Sequence, residues 1–159
     1  MFIDLGTIKG ESKDSKHKEE IDILAWSWGL SNSGSAHTGS GAGAGKVNVQ
    51  DLSFTKYVDK ASPNLIQHGA SGKHIPKATL TVRKAGGTPV EYIVIVLEEV
   101  LVTSLSTGGS SGEDRLTENV SLNFAKFTFK YTTQKADGTK DKEIPTGWDI
   151  PANVEYTAK

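Results

Sequence analysis

Cysteine is absent from the 159-residue chain, which excludes disulfide bonds, thiolate metal ligands and cysteine nucleophiles. Clustered positive charge is also lacking, because the formal net charge is −1 and acidic and basic residues alternate in runs such as Lys140–Glu143. Phosphate recognition needs concentrated positive charge, so we expect no nucleic-acid partner. Apolar runs of membrane-spanning length are missing, and the N-terminus is too short and too acidic for a signal peptide. We therefore expect no membrane insertion and a cytoplasmic starting point.

Cofactor and catalytic motifs are scarce too. Gly39–Lys46 looks like a phosphate loop, but Ser40 replaces its first glycine, Val47 replaces its hydroxyl residue, and a strand rather than a helix is predicted to follow. The serines lack a nucleophile-elbow pattern. The histidines are not spaced as metal ligands on a helix; they are His17, His37, His68 and His74. We predict no cofactor, no metal and no enzyme activity.

What the sequence does contain is strand periodicity. Ala78–Lys84 alternates apolar and polar residues, as in a half-buried strand, and Glu91–Leu105 predicts one long strand. Within it, Tyr92–Leu97 is apolar on both faces, so we expect a core on one side and a helix or a neighbouring subunit on the other. Glu98 and Glu99 are consecutive and so face opposite sides of this strand. If both sides are covered, one carboxylate is buried and needs a hydrogen-bond or ion-pair partner. Alternatively, the strand has already left the core at this point.

Two further segments change the parity of their apolar residues part-way. These are Lys46–Val58 and Val120–Tyr131, and each change predicts a β-bulge. Bulged and curved strands are what closing a sheet requires, so the pattern predicts a barrel or rolled sheet. On Ile21–Leu30 we expect Leu24, Trp26, Trp28 and Leu30 to face the core. The opposite face ends in small residues around Ser27, suited to a subunit contact or a smooth passage.

One short helix is predicted. Ser62 is the expected cap, Pro63 the first helical residue, and Gly69 or Gly72 the end, with Leu65 and Ile66 facing the sheet. Hairpin turns are expected at Ala85–Pro89 and Asp137–Gly138. After Lys140 we expect at most one edge strand.

Two long loops rich in glycine and serine stand out, Ser31–Gly45 and Ser106–Gly112. Loops of this length in a compact domain are usually functional or disordered, and we favour segments that order against a partner. The charged residues after the second loop, Glu113–Arg115, are interpreted as an ion-pair contact to a neighbour. A solvated turn is the alternative, and a small hydrolase using Glu113 or Asp114 is the least favoured one.

These segments resemble the haemolysin-coregulated protein family, the inner-tube subunit of the type VI secretion systems of Gram-negative bacteria. The resemblance extends over nearly the whole chain and weakens over 140–159. The segments that carry it follow the family's order: Gly10–Asp14, Glu20–Gly29, Asp51–Lys60, Gly72–Ile75, Arg83–Gly87 and Gly112–Val120.

The resemblance implies a single domain over 1–159: a two-sheet β-barrel with one short flanking helix that assembles into a hexameric ring. Rings would stack into a tube that a contracting sheath expels with a spike protein, without a signal peptide, out of the cell or into a target cell. Small effector proteins would travel in the lumen. A stand-alone effector-binding or chaperone ring is the alternative.

The same resemblance suggests two groups of contact residues. The loop 31–46 would reach the adjacent ring, and its candidate stacking residues are Ser31, Ser33, His37, Gly41, Gly43 and Lys46. Candidates for subunit contacts or the lumen are Ser110, Ser111, Glu113, Asp114, Arg115, Ser27 and Glu98.

Overall fold

A computed structural model describes residues 1–33, 46–84 and 89–157. Within these ranges the chain forms one helix, α1 (Ser62–Ser71), and eleven strands. The strands are β1 (Phe2–Asp4), β2 (Ile21–Ser27), β3 (Leu30–Ser31), β4 (Asn48–Val49), β5 (Leu52–Tyr57), β6 (Ile75–Arg83), β7 (Glu91–Thr107), β8 (Thr117–Asn123), β9 (Lys126–Gln134), β10 (Lys140–Asp149) and β11 (Val154–Glu155).

Six of these strands close into a barrel. Going round the wall, β1 pairs with β2, β2 with β5, β5 with β8, β8 with β7, β7 with β6, and β6 returns to β1, all antiparallel. Apolar side chains from each strand fill the interior, including Ile3, Ile21, Leu52, Leu80 and Leu122. The prediction of a mainly β barrel with one flanking helix is confirmed.

Strand β7 is long enough for its two halves to pair with different strands. Its first half pairs with β6 and β9, whereas Leu101–Thr107 pairs with β8. The backbone turns between the halves at Glu99, which has a positive φ of 56°. Strands β9, β10 and β11 therefore continue outward from the barrel as an extension. The predicted strand Glu91–Leu105 is confirmed, with two more residues at its end.

Both predicted bulges are wrong, because the changes of parity mark strand ends. Lys46–Val58 divides into β4 and β5, and Val120–Tyr131 divides into β8 and β9. A strand that stops and restarts after a turn shifts the apolar pattern as an extra residue would. Register shifts that the pattern did not reveal lie elsewhere, among them Val102/Ser104 in β7.

Strand β2 contains such a shift, between Ile23 and Ala25. It places Ile23 inside the barrel before the shift and turns Trp26 toward the core after it. Leu24 is consequently 42% exposed, and Leu30, beyond the strand, is 53% exposed. The predicted core face is therefore wrong for the two leucines, although Trp26 and Trp28 do pack against the core.

Helix α1 begins with Ser62 and Pro63 and ends before Gly72, whose φ of 66° is the left-handed conformation that glycine tolerates. Its bounds agree with the prediction, but Ser62 does not cap it. Leu65 is fully buried, whereas Ile66 is 49% exposed. Adjacent helical residues point about 100° apart, so Ile66 points away from the barrel when Leu65 faces it.

The chain after Lys140 forms two strands, β10 and β11, so the prediction of at most one is wrong. Most of β10 is exposed and therefore carries no apolar alternation, yet it pairs along β9. The turn at Asp137–Gly138 is confirmed, with Gly138 at φ 83°. Residues 85–88 of the other predicted turn lie outside the described residues.

Candidate assembly surfaces

The outer wall of the barrel carries a patch of small uncharged side chains, here called the hydroxyl face. Across β2, β5, β8 and β7, the register places four serines side by side. A second row, two residues along each strand, continues the same face. The first row is Ser27, Ser53, Ser121 and Ser104, and the second is Ala25, Thr55, Asn119 and Ser106.

Hydrogen bonds between strands hold these side chains close to the wall. The hydroxyl oxygens of Ser53 and Ser121 are 2.8 Å apart, and the Thr55 hydroxyl donates to Asn119 Oδ1 at 2.7 Å. The result is a hydrophilic surface whose two rows carry no formal charge. Sequence reasoning found only Ser27. The signal for the others was the alternation of hydroxyl and apolar residues along Leu52–Tyr57.

The extension carries an apolar row that runs outward from the barrel. Ile93 on β7, Tyr131 on β9 and Ile144 on β10 are paired across the strands and so share one face. Ile93 is half-buried, Tyr131 is 41% exposed and Ile144 is 55% exposed. We call this row the apolar stripe. Exposed apolar residues in a continuous row are typical of a surface that another molecule covers.

The other side of β7 is covered only in part. Val94 and Val96 are half-buried and line an open groove with Thr128, Lys130 and the C-terminal Tyr156. Helix α1 lies against the second half of β7 instead, since a Cβ placed on Gly69 would be 3.5 Å from Val102 Cγ1. The helix is therefore not the cover for Tyr92–Leu97.

The loop 31–46 has a short two-stranded stem. Ser31 on β3 pairs with Asn48 on β4 and is exposed, as are Ser33 and Lys46. The Trp28 indole N–H donates to Gln50 O at 3.0 Å and ties the stem to β2. The other candidate stacking residues, His37, Gly41 and Gly43, lie outside the described residues.

The connection between β7 and β8 is exposed along its length. Ser110, Ser111, Glu113 and Asp114 all lie at the surface. The guanidinium of Arg115 lies 3.7 Å from the centroid of the Tyr57 ring, a cation–π contact that fixes this side chain on the barrel.

Glu98 has a hydrogen-bond partner, as expected from the sequence for a buried carboxylate at this position. It is half-buried and accepts a hydrogen bond from the Tyr156 hydroxyl at 2.8 Å. This contact raises the pKa of Tyr156. Glu99 is instead 63% exposed and lies 3.7 Å from Lys126 Nζ.

A buried ionic cluster at the start of α1 was missed by sequence reasoning. Lys56 is fully buried, and its Nζ lies 2.5 Å from Glu118 Oε1, 2.8 Å from Asp59 Oδ1 and 3.1 Å from Ser62 Oγ. Ser62 in turn donates to Glu118 at 2.6 Å. Only the alternation of β5, which sends Lys56 to the same side as Phe54, hinted at this burial.

The histidines in the described ranges do not form a metal centre. No group of three or more metal-ligating side chains is found among the residues that the structure describes. His17 bonds to Glu20 and Glu91, and His68 bonds to the Asn64 carbonyl oxygen at 2.8 Å. Equally, no helix in this part of the chain has the length and apolar character to cross a bilayer.

Comparison with known proteins decides the family. Residues 2–131 match the family model described as "Type VI secretion system effector, Hcp". The chain is a member of the Hcp family. It is 69% identical to protein hcp1 of Pseudomonas aeruginosa, covering 98% of this chain and 97% of that protein.

Solved structures agree with this assignment. A type six secretion system protein superposes with a TM-score of 0.92 at 29% identity, covering 98% of both chains. Hcp1 from Salmonella typhimurium superposes with a TM-score of 0.80 at 40% identity, covering 98% of this chain and 97% of that one. As an Hcp protein, the chain is a secreted, structural component of the type VI secretion system.

Proposed function

We propose that six copies of this Hcp subunit close into a ring, that rings stack into a tube, and that sheath contraction expels the tube with its spike protein. The apolar stripe carries this proposal. Its outermost members, Tyr131 and Ile144, are exposed in the monomer, and the open groove lined by Val94 and Val96 lies on the opposite face of the same strands. A closed ring covers such surfaces and the outer edge of a sheet extension with identical neighbours.

The hydroxyl face is proposed to line the lumen of the ring. It is hydrophilic and its two rows carry no formal charge, so it remains solvated without attracting one particular sign of charge. Small effector proteins would then be carried through several weak hydrogen bonds to side chains such as Ser27, Ser104 and Asn119. Because each hydrogen bond is weak, the lumen would hold the effectors during transport and still release them afterwards.

The loops are proposed to make the remaining contacts. The stem residues Ser31, Ser33 and Lys46 would present the loop 34–45 to the adjacent ring. Ser110, Ser111, Glu113, Asp114 and Arg115 form an exposed polar segment at the far end of β7 and β8, suited to a contact between subunits. Glu98 is proposed to act indirectly, by holding Tyr156 beside the groove.

The test is native mass spectrometry of Ile144→Asp. A charge in the apolar stripe should reduce the particle from six times the 17.0 kDa mass to the monomer. Ile66→Asp on α1 is the matched control, because Ile66 is 49% exposed, and it should leave the ring intact. A ring that persists in Ile144→Asp with an unchanged dissociation constant would contradict the assignment of this surface.

The lumen is tested separately with Ser104→Lys, which adds a charge to the hydroxyl face. We expect rings of normal mass that retain far less effector protein in a pull-down. Gln67→Lys, at an exposed position of α1, is the control and should bind normally. Unchanged binding in Ser104→Lys would remove the hydroxyl face from cargo recognition.

The alternative is a stand-alone effector-binding or chaperone ring that never stacks. Replacing residues 34–45 with a short glycine–serine turn distinguishes the two. If stacking is the function of this loop, rings should remain but tubes should disappear in negative-stain images. Effector export would then be lost while effector binding persists.

A further inference from the structure

His17 joins the loop between β1 and β2 to two other parts of the fold. Its side chain is only 7% exposed, and its ring stacks on Phe2 with centroids 4.3 Å apart and planes 8° from parallel. Nδ1 lies 2.9 Å from Glu20 Oε2, at the end of the loop. Nε2 lies 3.1 Å from Glu91 Oε1, at the start of β7.

This geometry requires an additional proton. A neutral imidazole has one N–H, and its second nitrogen is a hydrogen-bond acceptor. Both ring nitrogens of His17 face carboxylate oxygens, which are acceptors as well when ionised. If the ring is neutral and both carboxyl groups are ionised, the ring nitrogen without a proton faces a carboxylate oxygen, and the lone pairs of these two atoms repel each other. The three groups fit together only when the ring is an imidazolium or when one carboxyl is protonated.

The surroundings favour such a proton. Asp14, from the same loop, and Asp4, at the end of β1, add two more carboxyl groups beside the trio. Arg83 of β6 is a cation close to this cluster, but it forms a bidentate ion pair with Asp14 and is thereby largely neutralised. The face of the Phe2 ring also attracts a cation. Burial raises the pKa of Glu20, although the hydrogen bond from His17 opposes this shift.

We propose that His17, Glu20 and Glu91 form a proton-dependent clasp that fastens the loop 9–20 to the barrel and loosens as the pH rises. With the proton bound, the ring donates to both carboxylates and closes the loop against β7. Once the proton leaves, one of the two contacts must open. The pH of the surrounding solution would thus set the order of this loop.

The direction of the pH dependence follows from proton linkage. In the proposed closed state, the trio holds one proton more than it does when the loop is open. A closed state that binds the additional proton is stabilised relative to the open state at low pH, and this stabilisation is lost as the pH rises. Loss of one proton makes the opening constant of the loop rise about tenfold per pH unit.

Hydrogen exchange of the intact ring between pH 6 and 9 tests the clasp. Protection of amides in 9–20, corrected for the intrinsic pH dependence of exchange, should fall about tenfold per unit once the proton is lost. Protection of β8, which makes no contact with the clasp, should stay constant. Protection of 9–20 that is constant over the whole range would overturn the proposal.

Glu91→Gln gives the decisive comparison. Its amide can donate to a neutral Nε2 while Nδ1–H donates to Glu20, so both contacts survive without the additional proton. We expect 9–20 to remain protected at pH 9 in this variant. Glu99→Gln, an exposed carboxylate on the same strand, should behave as the wild type. If Glu91→Gln keeps the full wild-type pH dependence, the proton is not held by this trio.

Discussion

Lys56 and Glu118 form an ion pair inside the barrel wall, with Nζ and Oε1 2.5 Å apart and exposed fractions of 0% and 1%. Lys56 lies on β5 and Glu118 on β8, and the two are directly paired across these strands. Asp59 and Ser62, from the turn that leads into α1, complete the cluster. The cluster therefore fixes both the β5–β8 register and the entry of the helix.

Removing one partner of this pair should be strongly destabilising, since the other charge stays buried. We expect Glu118→Ala or Lys56→Met to lower the free energy of unfolding by about 3–5 kcal/mol. Urea denaturation at fixed protein concentration is the measurement. The double variant Lys56→Met/Glu118→Ala should lose less than the sum of the two single variants. Additive losses would mean that the pair is not coupled.

Gly10 is the tightest point of the loop before β2. A Cβ there would overlap the carbonyl oxygen of Glu20, and that backbone cannot move freely because Gly10 N donates to Glu19 O at 2.8 Å. Gly10→Ala should cost roughly 1–3 kcal/mol in the free energy of unfolding. Gly108→Ala is the control, because Gly108 has open space around its Cβ position among the described residues. Equal stability of the two variants would contradict the close approach.

Asp14 should make the protein sensitive to acid. The Arg83 guanidinium that bonds to its side chain holds the pKa of Asp14 well below the ordinary value of 3.8. A lowered folded-state pKa stabilises the fold above the unfolded value and withdraws that stability as the pH falls below it. Asp14→Asn should therefore flatten the loss of stability below about pH 4. Thermal unfolding across pH 2–6 is the measurement, with Asp141→Asn, an exposed aspartate, as the control.

Tyr156 offers a spectroscopic prediction at alkaline pH. Its hydroxyl donates to Glu98, and this hydrogen bond, followed by burial, raises the pKa of Tyr156 above its ordinary value of 10.0. Ultraviolet titration should show one tyrosine that ionises later than the others. Glu98→Gln should move that transition toward lower pH, since the charged acceptor is gone. A titration unchanged by this substitution would show that the contact does not persist in solution.

Individual strands, the helix and the family were accessible from the sequence because they are recognised from local patterns. Alternation along Ala78–Lys84, the long apolar run of Glu91–Leu105 and the helix boundaries at Pro63 and Gly72 depend only on neighbours in the chain. The motifs from Gly10–Asp14 to Gly112–Val120 identified the family for the same reason. Errors arose where a local pattern has two structural origins, as for the parity changes that proved to be strand ends.

The sequence by itself thus determined a cysteine-free, mainly β Hcp subunit with one short helix and two long glycine-rich loops. Only the tertiary structure aligned Ser27, Ser53, Ser121 and Ser104 into one face, because register across strands joins residues far apart in the chain. Likewise, only the folded structure shows that Lys56 and His17 are buried. Burial and long-range pairing are set by the closed barrel as a whole, and no single segment encodes them.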